Sequence, residues 1–336
     1  MGCAGSAVLR APGPEPRHHG PAMILIVTIE QDLHALAVQR ALQQRGYRDC
    51  HILECDRISD RYRLRAELSA MTRRAAVTCP GGITIDLAGV RTIWWRRVRA
   101  DQKLDVPATD EQHAKLINND CRGALNGLLA ASFAGLWISS PEATDRASDK
   151  VHQLTVAMAQ GFRIPDTLIS QSRTDVEDFC RRHDGRVIVK PIVGASGPIL
   201  PTQLIGDVSR LDPHSFEVSP AIYQEYIPGR QHVRLNCFGD QSFAAVIETD
   251  ELDWRPNLNV PIRPWTVPDW LHARVRSTLD ALDLRMGILD LKVMPDGEVV
   301  WLEVNPQGQF LFLEGITGMP LAEHFADYLL STTPSI

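Results

Sequence analysis

Near its C-terminal end the chain reads Ile288-Leu289-Asp290-Leu291-Lys292, then Pro295-Asp296-Gly297, then Val300-Trp301-Leu302-Glu303-Val304-Asn305. Apolar alternation on both sides of a Pro-Asp-Gly cluster predicts a β-hairpin. With Asp296-Gly297 as a two-residue turn, counting outward sets Asp290 opposite Glu303, and Asn305 joins that face two residues along. Two carboxylates and an amide oxygen suit Mg2+, which usually takes one or two carboxylates, keeps waters and bridges to phosphates. A three-residue Pro-Asp-Gly turn with a glycine bulge would offset the pairing by one residue. In either register the alternative is a solvated polar face on an ordinary hairpin, with Val300, Leu302 and Val304 turned to the core.

Two lysines form a second group. Lys150 falls in the opening of a helix, where a cation opposes the helix dipole, and Lys190 ends an apolar strand just before Pro191. Both placements call for an anionic partner. The following loop, Ile192-Val193-Gly194-Ala195-Ser196-Gly197, is small enough to present backbone N–H groups to phosphate, with Gly194, Ser196 and Gly197 as its contacts. Alone it reads as a plain turn. Combined with two lysines and a carboxylate hairpin, it points to a nucleoside triphosphate. The chain contains no Gly-x-x-x-x-Gly-Lys-Ser/Thr, which argues against a P-loop.

The elements that must position these groups are α/β (α+β) in class. Met23 opens the buried run Ile24-Leu25-Ile26-Val27. Leu33, Leu36, Ala37, Ala41 and Leu42 then recur at helical spacing before Gly46. Further strands are read at His51–Cys55, a hairpin over 77–85, Thr92–Trp95 and near Trp137, with a long helix over 110–134. The middle segment gives a helix over 149–160, a strand Thr167–Ser170, a helix capped by Thr174 or Asp175, and the strand Arg186–Lys190. The last segment is mostly β, over 221–227, 232–238, 242–249, 287–294 and 298–304, with amphipathic helices at Leu271–Leu282 and Leu321–Leu329. The expected division is a disordered extension over 1–22, an α/β domain over 23–140, a central unit over 141–218 and a C-terminal unit over 219–336.

Composition narrows the function classes. The 336 residues carry 35 Lys+Arg against 41 Asp+Glu, a net charge of -6, so general nucleic-acid binding is disfavoured. The longest uncharged stretch, Gly123 to Pro141, holds polar residues, glycines and a proline, and reads as a buried helix and strand, with no membrane span. Seven scattered cysteines without Cys-x-x-Cys fit a reducing cytoplasm. Met1-Gly2-Cys3 formally matches an acylation motif, though the Pro/Gly/His/Arg-rich run that follows is neither signal peptide nor packed element.

Five pieces then stand in order: Asp149-Lys150-Val151-His152-Gln153-Leu154 with Ile164-Pro165-Asp166-Thr167; Val187-Ile188-Val189-Lys190-Pro191; Tyr223-Gln224-Glu225-Tyr226-Ile227-Pro228-Gly229; Asp290; and Leu302-Glu303-Val304-Asn305-Pro306. In this the chain resembles the ATP-grasp ligases. Trp94-Trp95-Arg96-Arg97, Asp253-Trp254-Arg255, and Asn305-Pro306-Gln307-Gly308-Gln309 followed by Glu314-Gly315-Ile316-Thr317-Gly318 are similar to the graspetide (microviridin-type) peptide maturases. The resemblance spans Met23 to Leu330.

It implies a three-part ATP-grasp architecture behind an N-terminal pre-ATP-grasp domain. It also implies an ADP-forming ligase that phosphorylates a carboxylate, holds the acyl phosphate, and lets a hydroxyl or amine attack. The cofactors would be ATP and Mg2+, in two ions, and the partner a precursor peptide with acidic and Ser, Thr or Lys residues. By the family pattern Lys150 and Lys190 touch phosphates, Gln224, Glu225, Tyr226 and Ile227 offer the adenine edge contacts, and Asp290, Glu303 and Asn305 hold Mg2+. Arg234 and Arg255 would clamp the carboxylate or its tetrahedral intermediate, a task suited to a bidentate guanidinium; as the alternative, each is a surface ion pair. Where relatives place an acidic residue for the ribose, this chain has His232, and Val98 stands where a proline is common. Trp94 and Trp95 read equally as core packing. Homodimers follow from the same resemblance. A ligase adding a free amino acid to a small molecule or protein terminus, like the ribosomal-protein glutamate ligases, is the second reading, and a silent peptide-binding relative the third.

Overall fold

The computed structural model describes residues 22–98, 110–193, 202–206, 208 and 212–333. The candidate phosphate contacts Gly194, Ser196 and Gly197, and all but the last residue of the expected extension, lie outside them.

The N-terminal sheet is parallel, ordered Cys50–Glu54, Met23–Thr28, Val90–Trp95, Leu136–Ile138. Ile24 to Val27 are all buried; parallel strands covered on both faces are continuous apolar runs. A small antiparallel sheet, Arg63–Leu68, Arg73–Thr78 and Thr84–Asp86, sits beside the long helix Glu111–Ser132, whose first turn is capped by Asp110 accepting from His113 N.

The remainder is two antiparallel sheets. One is ordered Gln203–Ile205, Val187–Lys190, Ala221–Glu225, Thr167–Ser170; the other Ile262–Trp265, Gln241–Glu248, Gln231–Phe238, Met286–Val293, Val299–Asn305. Ahead of both in sequence, the helix Lys150–Ala159 starts at an Asp149 cap. One hydrophobic core joins Ile24, Ile26 and Trp94 of the N-terminal sheet to Phe238, Met286 and Ile288 of the five-stranded sheet. The C-terminal helix Leu321–Thr332 seals it, with Phe325 packed 4.5 Å from Trp94. Trp95 faces the other side, edge-on to Trp137. The tryptophan pair is therefore packing on both faces of one strand.

The helix after Thr167–Ser170 runs Arg173–Arg182 and is capped by Ser172, whose hydroxyl accepts from Asp175 N at 3.3 Å. The expected caps, Thr174 and Asp175, lie inside its first turn, because a serine three residues ahead of Asp175 takes that amide first. Seven elements add to the sequence reading: Ile58–Arg61, Arg63–Leu68, Pro141–Ser148, Gln203–Ile205, Pro213–Val218, Ile262–Trp265 and Leu311–Thr317. Among the described residues six cysteines are free, four of them buried, and no helix is long and apolar enough to cross a membrane.

Candidate active site

The carboxylate hairpin combines both registers considered for it. Its turn is the longer one: Met294 N donates to Glu298 O at 2.8 Å, and Gly297, at φ 88°, donates to Met294 O. Pairing accordingly runs Val293 to Val299 and Leu291 to Trp301, offset by one. Leu302 then bulges out, and the next pair is Asp290 with Glu303. The bulge restores the acids to opposite positions and overturns the simple alternation. Trp301 takes the core place, fully buried and 5.2 Å from Phe162, while Leu302 is only half-buried.

Arg234 lies opposite Asp290 on the neighbouring strand, its Nη1 donating to Asp290 Oδ2 at 2.7 Å. Burial raises the Asp290 carboxyl above the usual carboxylate range, Arg234 pulls it back, and the Glu303 carboxylate adds to the rise. Asp290 Oδ1 is buried and has no hydrogen-bond partner among the described residues. An orphan carboxylate oxygen beside a second carboxylate is a donor set that a hard divalent cation completes, so these residues fit Mg2+. Asn305 ends the strand exposed, and its Oδ1 already accepts from Gln307 N at 3.0 Å, leaving one lone pair.

The cations converge on the same acids. Lys150 Nζ lies 4.0 Å from Glu303 Oε2 and donates to Pro191 O at 3.3 Å. Burial lowers the Lys190 ammonium to about 8, with Lys150 and Arg255 pushing the same way and Glu303 and Asp290 opposing. Arg255 is held differently, by a two-pronged contact to its own neighbour Asp253 at 2.8 and 2.6 Å. Trp254 between them is buried and stacks on Phe312, which ties this loop to the helix Leu311–Thr317.

The 224–227 segment has spent much of its hydrogen bonding. Gln224 Nε2 donates to Thr167 Oγ1, Glu225 accepts from Arg163 and from Asp166 N, and Tyr226 N donates to Arg186 O. What it can offer a base is mainly carbonyl oxygens and Ile227. Alongside, His232 is paired in register with Lys292, and both are buried. Burial first, then Lys292, drives the His232 imidazole down to about 4, so it is neutral.

Two supports escaped the sequence reading. Gln153 on the Lys150 helix behaves like a missing strand residue: its Nε2 donates to Val304 O and its Oε1 accepts from Val304 N, both at 2.8 Å, which fixes the residue next to Glu303. From the N-terminal sheet, Arg96 is fully buried, paired with Asp32 at 2.5 Å, and donates to Gly308 O at 3.1 Å. Arg234 Nη2 donates to Gln309 O, and His34 Nε2 accepts from Phe310 N and Leu311 N. The loop after Asn305 is thus gripped from three sides. A hint of this network was present in a charged pair directly following two core tryptophans; its partners at Asp32 and His34 gave none.

A family profile described as the MvdD pre-ATP grasp domain matches residues 23–145. Macrocyclase MdnC from Microcystis aeruginosa MRC, solved with precursor peptide MdnA, superposes with a TM-score of 0.81 at 24% identity, over 92% of this chain and 99% of its own. The chain has the ATP-grasp fold, and its residues 23–145 match the pre-ATP-grasp profile. A Chryseobacterium gregarium RiPP-associated ATP-grasp ligase, solved with ADP and leader and core peptides, shares the fold at a TM-score of 0.80 and 21% identity over 94% of this chain and 98% of that one. ATP-grasp ligase PsnB, solved with minimal precursor, Mg and ADP, does so at 0.75 and 21% over 93% and 97%. No curated protein matches the sequence. Within this fold, the expected α/β class and pre-ATP-grasp domain are both present. A polar cleft of about 510 Å3 lies elsewhere, lined by Arg276, Asp280 and Tyr328 among others, and contains none of the residues above.

Proposed function

We propose that the protein is an ADP-forming ligase that uses ATP and two Mg2+ ions to join side chains within a ribosomally made precursor peptide. The observation that carries the reading is the knot of opposed charges at the hairpin: Arg234 on Asp290 at 2.7 Å, Lys150 at 4.0 Å from Glu303, and a half-buried Lys190 beside them. A triphosphate is the ligand that two lysines and a carboxylate-held cation would share. The similarity to structures of peptide macrocyclases supports the choice of a peptide as substrate.

Asp290, Glu303 and Asn305 would hold Mg2+, which when bound neutralises charge on the phosphates and on the transferring phosphoryl group. Lys150 and Lys190 would place their ammonium groups on phosphate oxygens, and the backbone of Gln224 to Ile227 would line the base, with His232 on the ribose side. The peptide carboxylate, oriented by Arg234 and Arg255, attacks the γ-phosphorus and ADP leaves. A Ser or Thr hydroxyl or a Lys amine then attacks the acyl carbon, inorganic phosphate leaves, and the nucleophile's proton passes to solvent. The two guanidinium cations then stabilise the tetrahedral oxyanion. The reading places the enzyme in the cytoplasm, where such peptides are made, as a pair of chains.

Mass spectrometry of a short Thr/Ser- and Asp/Glu-rich peptide encoded beside this chain, after incubation with enzyme, ATP and Mg2+, tests it. Loss of one water per linkage is expected. A gain of an amino-acid residue mass would replace it with the glutamate-ligase reading, and an unchanged mass with no ADP formed would leave only a binding module.

A further inference from the structure

An open parallel sheet that winds both ways from its middle leaves a crevice outside the carboxyl ends of its strands, where the strand order reverses, and such folds bind their ligands there. In the N-terminal sheet the reversal falls between Met23–Thr28 and Val90–Trp95. Asp32 and His34 follow the first of these strands and Arg96 follows the second; all three are buried. Thr28 Oγ1 donates to Asp32 Oδ2 at 2.7 Å, and the same oxygen accepts from Arg96 Nε. The crevice thus holds an anion, a cation and an imidazole, and its occupant is a loop of the same chain.

These side chains meet the backbone of that loop. Arg96 Nη1 donates to Gly308 O at 3.1 Å, and His34 Nε2 accepts from Phe310 N at 2.9 Å and from Leu311 N at 3.1 Å. A ring nitrogen that accepts two amide protons carries none of its own, which leaves His34 Nδ1 to face Asp32 Oδ1 at 3.5 Å. On its other side the loop lies hard against the five-stranded sheet: a Cβ at Gly308 would stand 2.5 Å from Ile288 Cβ. The loop has no slack there, and it leads directly into the site. Gly308 N donates to Asn305 O, Gln307 N donates to Asn305 Oδ1, and Gln309 O accepts from Arg234, the partner of Asp290.

We infer that Asp32, His34 and Arg96 are positioning residues: the N-terminal domain holds the 306–311 segment in its crevice as a ligand, and so sets Asn305 and Arg234 for the divalent cation. This rests on the metal reading above and gives it a support outside the carboxylate hairpin. Partners one step behind a metal ligand typically carry about 10–100-fold in metal affinity.

ADP affinity of the full chain, measured by calorimetry over a series of Mg2+ concentrations with circular dichroism alongside, tests it. Three variants reach the loop from its two sides. Arg96→Lys cannot hold Asp32 and Gly308 O together, His34→Gln keeps an acceptor for one of the two amides, and Gly308→Ala pushes the loop off Ile288 without altering the N-terminal domain. Each is expected to need roughly tenfold more Mg2+ for the wild-type gain in affinity, with ADP affinity in the absence of Mg2+ unchanged. Should Arg96→Lys fail to fold, the other two decide by the same comparison; if none of the three folds, the network is only structural and the inference falls. Folded variants with a wild-type Mg2+ requirement would overturn the inference and leave the metal reading standing, as would an equal loss of affinity with and without Mg2+. A wild type whose ADP affinity ignores Mg2+ would overturn the metal reading itself.

Discussion

Arg234 and Arg255 are assigned the same task and are held in opposite ways. Arg234 stands on a central strand, nearly buried, paired across to Asp290 and anchored to Gln309 O, so its position is set by the sheet. Arg255 stands on a loop, partly exposed, and pairs with Asp253 two residues away, so its position is set by its own turn and by Trp254 beneath it. The first arginine is inseparable from the buried acid that it neutralises. The second can leave its partner only by depriving Asp253, whose side chain is 9% exposed, of its cation, but that carboxylate keeps the Arg255 N–H as a donor. Under the proposed reading, a cleft built this way sets its metal-side arginine by the sheet and its peptide-side arginine by a loop.

Five substitutions separate the two sides. The largest effect belongs to Glu303→Ala, which removes the carboxylate opposite Asp290; turnover should fall by roughly 10²-fold or more with the fold intact. ADP release alongside circular dichroism decides it, and wild-type turnover in a folded variant would refute the metal role. Arg234→Ala leaves the Asp290 carboxylate buried and unpaired, and should cost about 3–5 kcal/mol of stability as well as activity. Arg234→Lys should recover much of the stability and little of the turnover, since a point charge cannot reach both Asp290 and Gln309 O; equal recovery of both would reduce Arg234 to a structural ion pair.

Arg255→Ala is predicted to act on the peptide alone. KM for peptide should rise about tenfold or more, nucleotide affinity should stay flat, and denaturant unfolding should shift by less than in Arg234→Ala. A loss of ATP affinity matching the loss of turnover would move Arg255 to the nucleotide side. The smallest effect is a pH profile. Lys190 titrates at about 8 in the folded protein, against an ordinary 10.5, so its charge is present below pH 8 and lost above it. Nucleotide affinity should therefore decline as pH rises through 8 to 9. In Lys190→Arg, whose guanidinium stays charged, that decline should vanish.

Much of the fold was legible because its strands and helices repeat apolar residues at regular spacing. Thr167–Ser170 is found where it was read, and Asp110 and Asp149 cap the helices that they precede. Arg63–Leu68 went unread because its exposed positions carry charge and its one-sided burial is shallow. Pro141–Ser148 opens with Ser140 capping and Pro141 in its first turn, an adequate signal obscured by the uncharged run before it. The acids of the site were legible because both lie in one hairpin, although counting from a two-residue turn pairs them correctly only because the Leu302 bulge cancels the longer turn. Their supports were not. Gln153 reaches Val304 across 151 positions, and Arg96 reaches Gly308 across 212, through hydrogen bonds that no local periodicity encodes.

The bulge at Leu302 carries a consequence for how such hairpins are compared across species. Since side chains alternate at every step, an extra residue in the turn would exchange the cleft face for the core face all along the strand unless a second irregularity cancels it. Here Leu302 cancels the longer Pro295-Asp296-Gly297 turn, and Asp290 meets Glu303 again. Homologous hairpins aligned by their tips would set the wrong residue against Asp290. Aligned inward from Asp290 and Glu303, they would keep their acids together whatever the tip has gained or lost.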